Sequence, residues 1–289
     1  MPERIGFVGL GIMGRPMAVN LSKKFEVVGF DVQQSRLDGL AGITPARGVA
    51  ELGSSCTVVC LSLPTAAIVE EVVLGSGGLR SVLAKGSLVI DLSTGIPSVS
   101  RRIAGRLAEN GIEFADAPVS GGEAGARSAG LAIMVGASPS AFERCRPYLS
   151  AVGKTVVRVG DVGAGDIAKL VNNMIVGSTF AVIAEGFAMA ERNGVDSRLL
   201  YDAIREGWAG SKVLDVSAEA ISARTYTPGG TVDMLEKDLS YARTVAAEST
   251  TPIPMTAAAH EIFVAGQAAG YGKSSQPALF ELWTRQGGT

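Results

Sequence analysis

Short apolar runs of strand length alternate with helix-length stretches over roughly the first 162 residues. The runs cover residues 5–8, 26–30, 56–61, 88–92, 113–116, 132–135 and 156–159. Between them, stretches 14–22, 34–42, 65–73 and 97–110 are long enough to cross from one parallel strand to the next. Strands alternating with helices predict an α/β fold, a doubly wound parallel sheet with helices on both faces. After Gly163-Ala164-Gly165 the pattern changes. Residues 166–193 contain no proline and are apolar nearly all the way round, which predicts a fully buried helix spanning roughly 40 Å. Helical patterning continues beyond it, broken by Gly207, Gly210, Pro228, Gly229, Pro252 and Pro254, with no convincing strand. The pattern thus divides the chain into an α/β domain at 1–162 and an all-helical domain at 163–289, with 287–289 expected to fray.

Composition narrows the functions open to this fold. The chain has 289 residues, 47% hydrophobic and 19% charged, enough to bury a full core. A net charge of -2 without a basic run gives no footprint for nucleic acid or an anionic membrane surface. The start at Pro2, Glu3 and Arg4 is unlike a secretory leader, so a cytoplasmic location is expected. Cys56, Cys60 and Cys145 form no close pair and read as small buried hydrophobes, not as a disulfide or zinc framework. The lone His260 lies in an Ala-rich helical stretch, which argues against a histidine metal site and against Ser-His hydrolysis. Any catalysis here needs another base.

Three segments supply candidate chemistry. The first is Gly9-Leu10-Gly11-Ile12-Met13-Gly14, directly between the run at 5–8 and the helix expected at 14–22. In that setting the three glycines allow a tight turn, close approach of backbone to a pyrophosphate, and close packing of helix on strand. The next strand ends at Asp31, where a carboxylate can accept hydrogen bonds from adenosine ribose hydroxyls. A Rossmann domain binding a dinucleotide is therefore expected. Asp31 would repel a 2′-phosphate and so favours NAD, although Arg36 a few residues on leaves NADP open. Leu63-Pro64 and Thr94 follow two further strands and fall at the carboxyl edge of the sheet, where they either line the cofactor or serve only as turns.

The second segment is Asp116-Ala117-Pro118-Val119-Ser120-Gly121-Gly122. Ser120 offers a hydroxyl, and Gly121 and Gly122 offer open backbone N–H groups, a combination that can hold a carboxylate or alcohol oxygen. The third is Gly163-Ala164-Gly165-Asp166-Ile167-Ala168-Lys169-Leu170-Val171-Asn172-Asn173. Lys169 and Asn173 stand four apart, on one face of a helix otherwise apolar. An unpaired charge buried there is expensive, and burial lowers a lysine pKa toward the range useful for proton exchange with an alcohol. A lysine snorkelling from the helix end is the alternative.

Together with Lys237-Asp238-Leu239, these motifs stand in order and resemble the β-hydroxyacid dehydrogenase family, which includes 3-hydroxyisobutyrate dehydrogenase and tartronate semialdehyde reductase. The resemblance covers nearly the whole chain. It implies an amino-terminal Rossmann domain, a helical carboxy-terminal domain like that of 6-phosphogluconate dehydrogenase, and NAD(P)-dependent oxidation of a 3-hydroxy acid without a metal. By position, Lys169 resembles the catalytic lysine. Ser120, Gly121, Gly122 and Asn173 match substrate-holding positions, Thr94 and Lys237 match cofactor-proximal ones, and Asp238 would bond near Lys237 or Lys169.

Two stretches depart from the family pattern. Gly230 follows Pro228-Gly229 where many members have an aromatic residue, and Lys273-Ser274-Ser275-Gln276-Pro277-Ala278 replaces an acidic pair followed by Ser-Ala. The expected activity is hydride transfer between NAD and a small 3-hydroxy acid, 3-hydroxyisobutyrate-like, with Lys169 as general acid/base. A reductase of an aldehyde acid such as tartronate or succinic semialdehyde is the alternative; an imine reductase and a non-catalytic nucleotide-binding module stand further off. The helix apolar on all sides also implies a homodimer or homotetramer. Trp208 reads as a pocket, core or interface residue.

Overall fold

A computed structural model describes residues 4–227 and 229–284; Pro228 and the stretch 287–289 lie outside the described residues. The chain forms two compact units, Met1–Lys169 and Leu170–Thr289. The change of sequence pattern falls at 162/163, about two helical turns before the units part, because the start of the long helix remains bonded to the sheet unit.

The first unit runs β1 (Arg4–Val8), α1 (Gly14–Ser22), β2 (Glu26–Phe30), a 3₁₀ turn (Gln34–Leu37), β3 (Ile43–Pro45), α2 (Val49–Ser55), β4 (Val58–Leu61), α3 (Ala66–Leu74), α4 (Leu79–Val82), β5 (Leu88–Asp91) and α5 (Pro97–Ala108). It continues with β6 (Glu113–Asp116), β7 (Val119–Ser120), α6 (Gly122–Arg127), β8 (Leu131–Gly136), α7 (Pro139–Val152), β9 (Gly153–Gly160) and the first turns of α8 (Ala164–Arg192). The nine strands order as β3-β2-β1-β4-β5-β6-β8-β7, with β9 also on β8.

The sheet is parallel from β3 through β6, then reverses where β8 runs antiparallel to β6 and β7. Residues alternate between two buried layers. Ile5, Phe7, Val58, Cys60, Leu88 and Ile90 face the layer that holds Met17 and Leu21 of α1. Val8, Val59, Leu61 and Val89 face the layer holding Val69, Val73, Ile103 and Leu107 of α3 and α5. Such double-sided burial is what a parallel sheet with crossover helices requires.

Two expectations for this unit need correction. Stretch 34–42 is not a crossover helix: it makes one 3₁₀ turn and leads into β3, which pairs with β2. Strand β7 carries Ser120 into the sheet as a partner of β8 and was hidden by its two-residue length. Helix starts follow local chemistry. The Thr65 hydroxyl accepts from the Ile68 N–H to cap α3, the Ser138 hydroxyl caps α7 on the Ala141 N–H, and Pro97 opens α5.

The second unit contains the rest of α8, α9 (Ser197–Ile204), α10 (Lys212–Ala223), α11 (Val232–Glu248), α12 (Pro254–Ala268), a 3₁₀ turn (Gln276–Phe280) and α13 (Glu281–Thr284). Phe180, Phe187, Leu214, Ile221, Leu239, Phe263 and Phe280 make its core. Helix α8 is not fully buried, contrary to the expectation from its apolar composition. Val171, Ile175, Val182 and Met189 form an exposed stripe along it, Ile175 being 65% accessible, since the neighbouring helices cover the opposite side. Trp208 is fully exposed, so it is not a core residue. His260 uses both ring nitrogens, 2.9 Å from Glu236 and 2.7 Å from Arg243, and all three cysteines are buried free thiols.

Candidate active site

Strand register assembles the site edge of the first unit. Val8 pairs with Phe30 and Leu61, Leu61 with Asp91, and Asp91 with Asp116, so these strands all end level. The segments beginning at Gly9, Asp31, Ser62, Leu92 and Ala117 therefore leave the sheet along one carboxyl edge, the side on which open α/β sheets bind ligands.

The fingerprint glycines do different jobs. A side chain on Gly9, which has φ +93°, would collide with the Ser62 carbonyl, and one on Gly14 would collide with the Gly9 carbonyl. Both are required by the turn itself. Gly11 is not: a Cβ there would meet only Arg36 Nη1 at 3.6 Å. The space before Gly11 is a cradle left open by the protein, and no side chain caps the start of α1. An uncapped helix start behind a bare glycine fits a pyrophosphate.

Leu10 is buried and Ile12 exposed, while Met13 packs partly against the core. Asp31 is nearly inaccessible. Its Oδ2 accepts from the Leu10 N–H at 2.7 Å and lies 3.2 Å from Arg36 Nη1, and its Oδ1 accepts from the Gln33 N–H at 2.8 Å. Asp31 thus braces the glycine loop. Further along the edge, the Leu63 N–H donates to Ser93 Oγ at 2.8 Å, tying the ends of β4 and β5 together. Pro64 is exposed and Thr94 half-buried.

The turn bearing Lys169 is fastened to the same edge. Asp116, at the end of β6, accepts from the Gly163 N–H at 2.7 Å and the Asp166 N–H at 2.9 Å, which satisfies free donors at the start of α8. The Asp166 carboxyl accepts from the Gly95 N–H at 3.1 Å and from the Ser100 hydroxyl at 2.6 Å. Burial pushes the Asp116 carboxyl up to about 7, the bonds from Gly163 and Asp166 opposing it. Burial, then the neighbouring Asp116 charge, holds Asp166 well above the usual carboxylate range. Neither acid carried a predicted role. Each stands in a quoted motif, and the only sequence signal was a carboxylate in an apolar setting. Lys169 itself is half-buried, so the full burial expected of it is not met.

Ser120 ends β7 half-buried, and Gly121 and Gly122 follow with φ of +138° and +61°. Nothing lies within 4 Å of where a Gly122 side chain would begin. In the second unit Asn173 Nδ2 donates to Asp238 Oδ2 at 2.6 Å and the Asn172 amide donates to Asn173 Oδ1 at 2.9 Å. Lys237 Nζ lies 2.8 Å from Asp238 Oδ1 as an ion pair and 4.7 Å from the centre of the Tyr241 ring. Asp238 is buried.

The two stretches that depart from the family pattern also meet in this unit. The Thr231–Ser275 bridge joins them, and a side chain on Gly230 would come within 2.7 Å of the Gln276 amide nitrogen.

Residues 4–160 match the family model described as the NAD binding domain of 6-phosphogluconate dehydrogenase. Residues 163–283 match the one described as NAD-binding of NADP-dependent 3-hydroxyisobutyrate dehydrogenase. The chain belongs to the β-hydroxyacid dehydrogenase family. It is 36% identical to 2-(hydroxymethyl)glutarate dehydrogenase of Eubacterium barkeri over 99% of this chain and 96% of the relative. It is 33% identical to 2-hydroxy-3-oxopropionate reductase of Escherichia coli over 96% of each.

A solved 3-hydroxyisobutyrate dehydrogenase of Mycobacterium tuberculosis with L-serine superposes with a TM-score of 0.88 at 30% identity, over 98% of this chain and 99% of that one. As a β-hydroxyacid dehydrogenase the chain is an NAD(P)-binding oxidoreductase, with a Rossmann domain followed by a helical one.

Proposed function

We propose that this β-hydroxyacid dehydrogenase oxidises the hydroxyl of a small 3-hydroxy acid, with NAD as its preferred cofactor and Lys169 as general acid/base. The observation that carries the reading is the fastening of the Lys169 turn to Gly95, one residue past Thr94, on the sheet edge that also holds the open Gly11 cradle. Gly9, Leu10, Gly11, Ile12, Met13, Gly14, Asp31, Leu63, Pro64 and Thr94 would hold the dinucleotide, with Lys237 as a further contact. Bound, it accepts or supplies the hydride at its nicotinamide ring.

Lys169 takes the proton from the substrate hydroxyl in oxidation and returns it in reduction. Ser120 orients the reacting oxygen, and the Gly121 and Gly122 N–H groups hold the substrate carboxylate. Asn173 presents its amide with its direction set by Asp238, and Lys237, ion-paired with the same carboxylate, adds a counter-charge. Asp31 favours NAD because its carboxylate, already fixed by two backbone N–H groups, stays where a 2′-phosphate would need to be.

The test is NADH formation, followed by absorbance with NAD and NADP in parallel, over 3-hydroxyisobutyrate, glycerate, threonate, serine and 2-(hydroxymethyl)glutarate. A clear NAD-linked rate on one of these is expected. Silence on all, in both directions, overturns the reading. The same residues serve reduction of an aldehyde acid, and the Escherichia coli relative is named for that direction. We also infer a homo-oligomer, supported by the exposed apolar stripe on α8.

A further inference from the structure

We propose that Asp166 is a positioning residue for Lys169, its carboxyl clamping the helix turn that carries the lysine to the loop between β5 and α5. The proposal rests on the reading of Lys169 as the proton-transfer group. Asp166 lies three residues before Lys169 on α8, so whatever holds its side chain also fixes the lysine's height and rotation at the sheet edge.

The clamp is built on both sides. Oδ1 meets the Gly95 N–H and Oδ2 meets the Ser100 hydroxyl, so one carboxyl bonds the loop after β5 and the first turn of α5. Asp116 holds the same turn from β6 through the Gly163 and Asp166 N–H groups. Glycine at the neighbouring positions makes the fit possible. A Cβ on Gly95 would come within 2.7 Å of Asp166 Oδ1, and one on Gly165 within 2.9 Å of Asp116 Oδ2. Larger residues at either place would push the carboxyls out.

Two buried acids side by side, with Asp91 also acting on both, are a poor means of stabilising a helix start, where a single neutral cap serves as well. They do define direction. Burial holds the Asp166 carboxyl well above the usual carboxylate range, and each of its oxygens accepts one bond, Oδ1 from the Gly95 N–H and Oδ2 from the Ser100 hydroxyl. Asparagine can keep both partners, its Oδ1 accepting from Gly95 and its Nδ2 donating to the Ser100 hydroxyl oxygen; alanine can keep neither. Misplacing a reacting group by 1 Å is enough to cost a large factor in rate while leaving binding intact.

The experiment compares Asp166→Ala, Asp166→Asn and Ser100→Ala in the full chain, reading kcat, KM for NAD, the pH profile of kcat, and amide hydrogen exchange at residues 166–169. In Asp166→Ala, kcat is expected to fall about 10- to 100-fold. KM for NAD holds within about twofold, the pH limb of kcat moves, and exchange in the first turn of α8 speeds up. Asp166→Asn recovers most of the lost turnover and restores the limb. An alanine variant with wild-type kcat and pH profile, or a folded asparagine variant as impaired as the alanine one, overturns the proposal.

If Asp166→Ala does not fold, Ser100→Ala, which removes one of the two bonds, must lower kcat severalfold; an unchanged kcat and pH profile in that variant overturns it. Lys169→Ala separates the two readings. Full turnover in that variant removes the lysine's role, while the exchange data still test the clamp: unchanged exchange in Asp166→Ala refutes it.

Discussion

Lys169 is the side chain on which the proposed chemistry turns. Lys169→Ala is expected to lower kcat about 10²- to 10⁴-fold, the usual worth of a positioned acid/base group. NADH binding, followed by fluorescence titration, should persist; turnover close to wild type would remove Lys169 from the reaction. The glycines separate in the same way. Gly14→Ala forces a side chain into the Gly9 carbonyl and should destabilise the domain by at least about 1–3 kcal/mol. Gly11→Ala has room within the protein and should leave the thermal midpoint nearly unchanged while raising KM for NAD. Asp31→Ser removes the charge that opposes a 2′-phosphate and frees Arg36, so the preference for NAD over NADP in kcat/KM should drop by about tenfold, or about 1.4 kcal/mol. An unchanged ratio would mean that Asp31 only braces Leu10 and Gln33. The sequence pointed to Asp31 through its place at a strand end, but its bonds to Leu10 and Gln33 became visible only with the fold.

The start of α8 is where pH should act on stability. Asp116 titrates near 7 when folded, against about 3.9 for a free aspartate, so between these values the native chain holds a proton that the unfolded chain has lost. Stability contributed by this group is full below about pH 4 and declines as pH rises through 7. Asp116→Asn should flatten that decline, measured as the urea midpoint at about pH 5 and about pH 7.5. An equal slope in variant and wild type would refute the assignment. The helix itself was legible from its unbroken apolar run. Its one-sided exposure was not, because α9 to α12 cover a single side and no local pattern says which.

Across the full chain, the exposed stripe of Val171, Ile175, Val182 and Met189 is the feature a folded monomer would not keep without cause. Light scattering on the purified protein should give a mass at least twice the 29.7 kDa of one chain. Ile175→Glu should shift it toward that value with the fold retained by circular dichroism. A wild-type monomer would refute the inferred assembly.

Strands β1, β2, β4, β5 and β6 and the glycine turn could be read directly, because a short apolar run and a strand–glycine–helix order are properties of a few adjacent residues. The family likeness rested on four such local motifs, and the comparisons agree with it. Pairing over distance was not readable. Strands β3 and β7 are too short to show a period, and the antiparallel turn of β8 depends on which neighbour is free to bond. Asp116 meets Gly163 and Asp166 across about fifty residues, and Asn173 meets Asp238 across 65. Neither pairing leaves a mark in the residues around it. Only a closed fold brings such groups within 3 Å, and only their burial there raises the pKa of one pair and fixes the direction of the other.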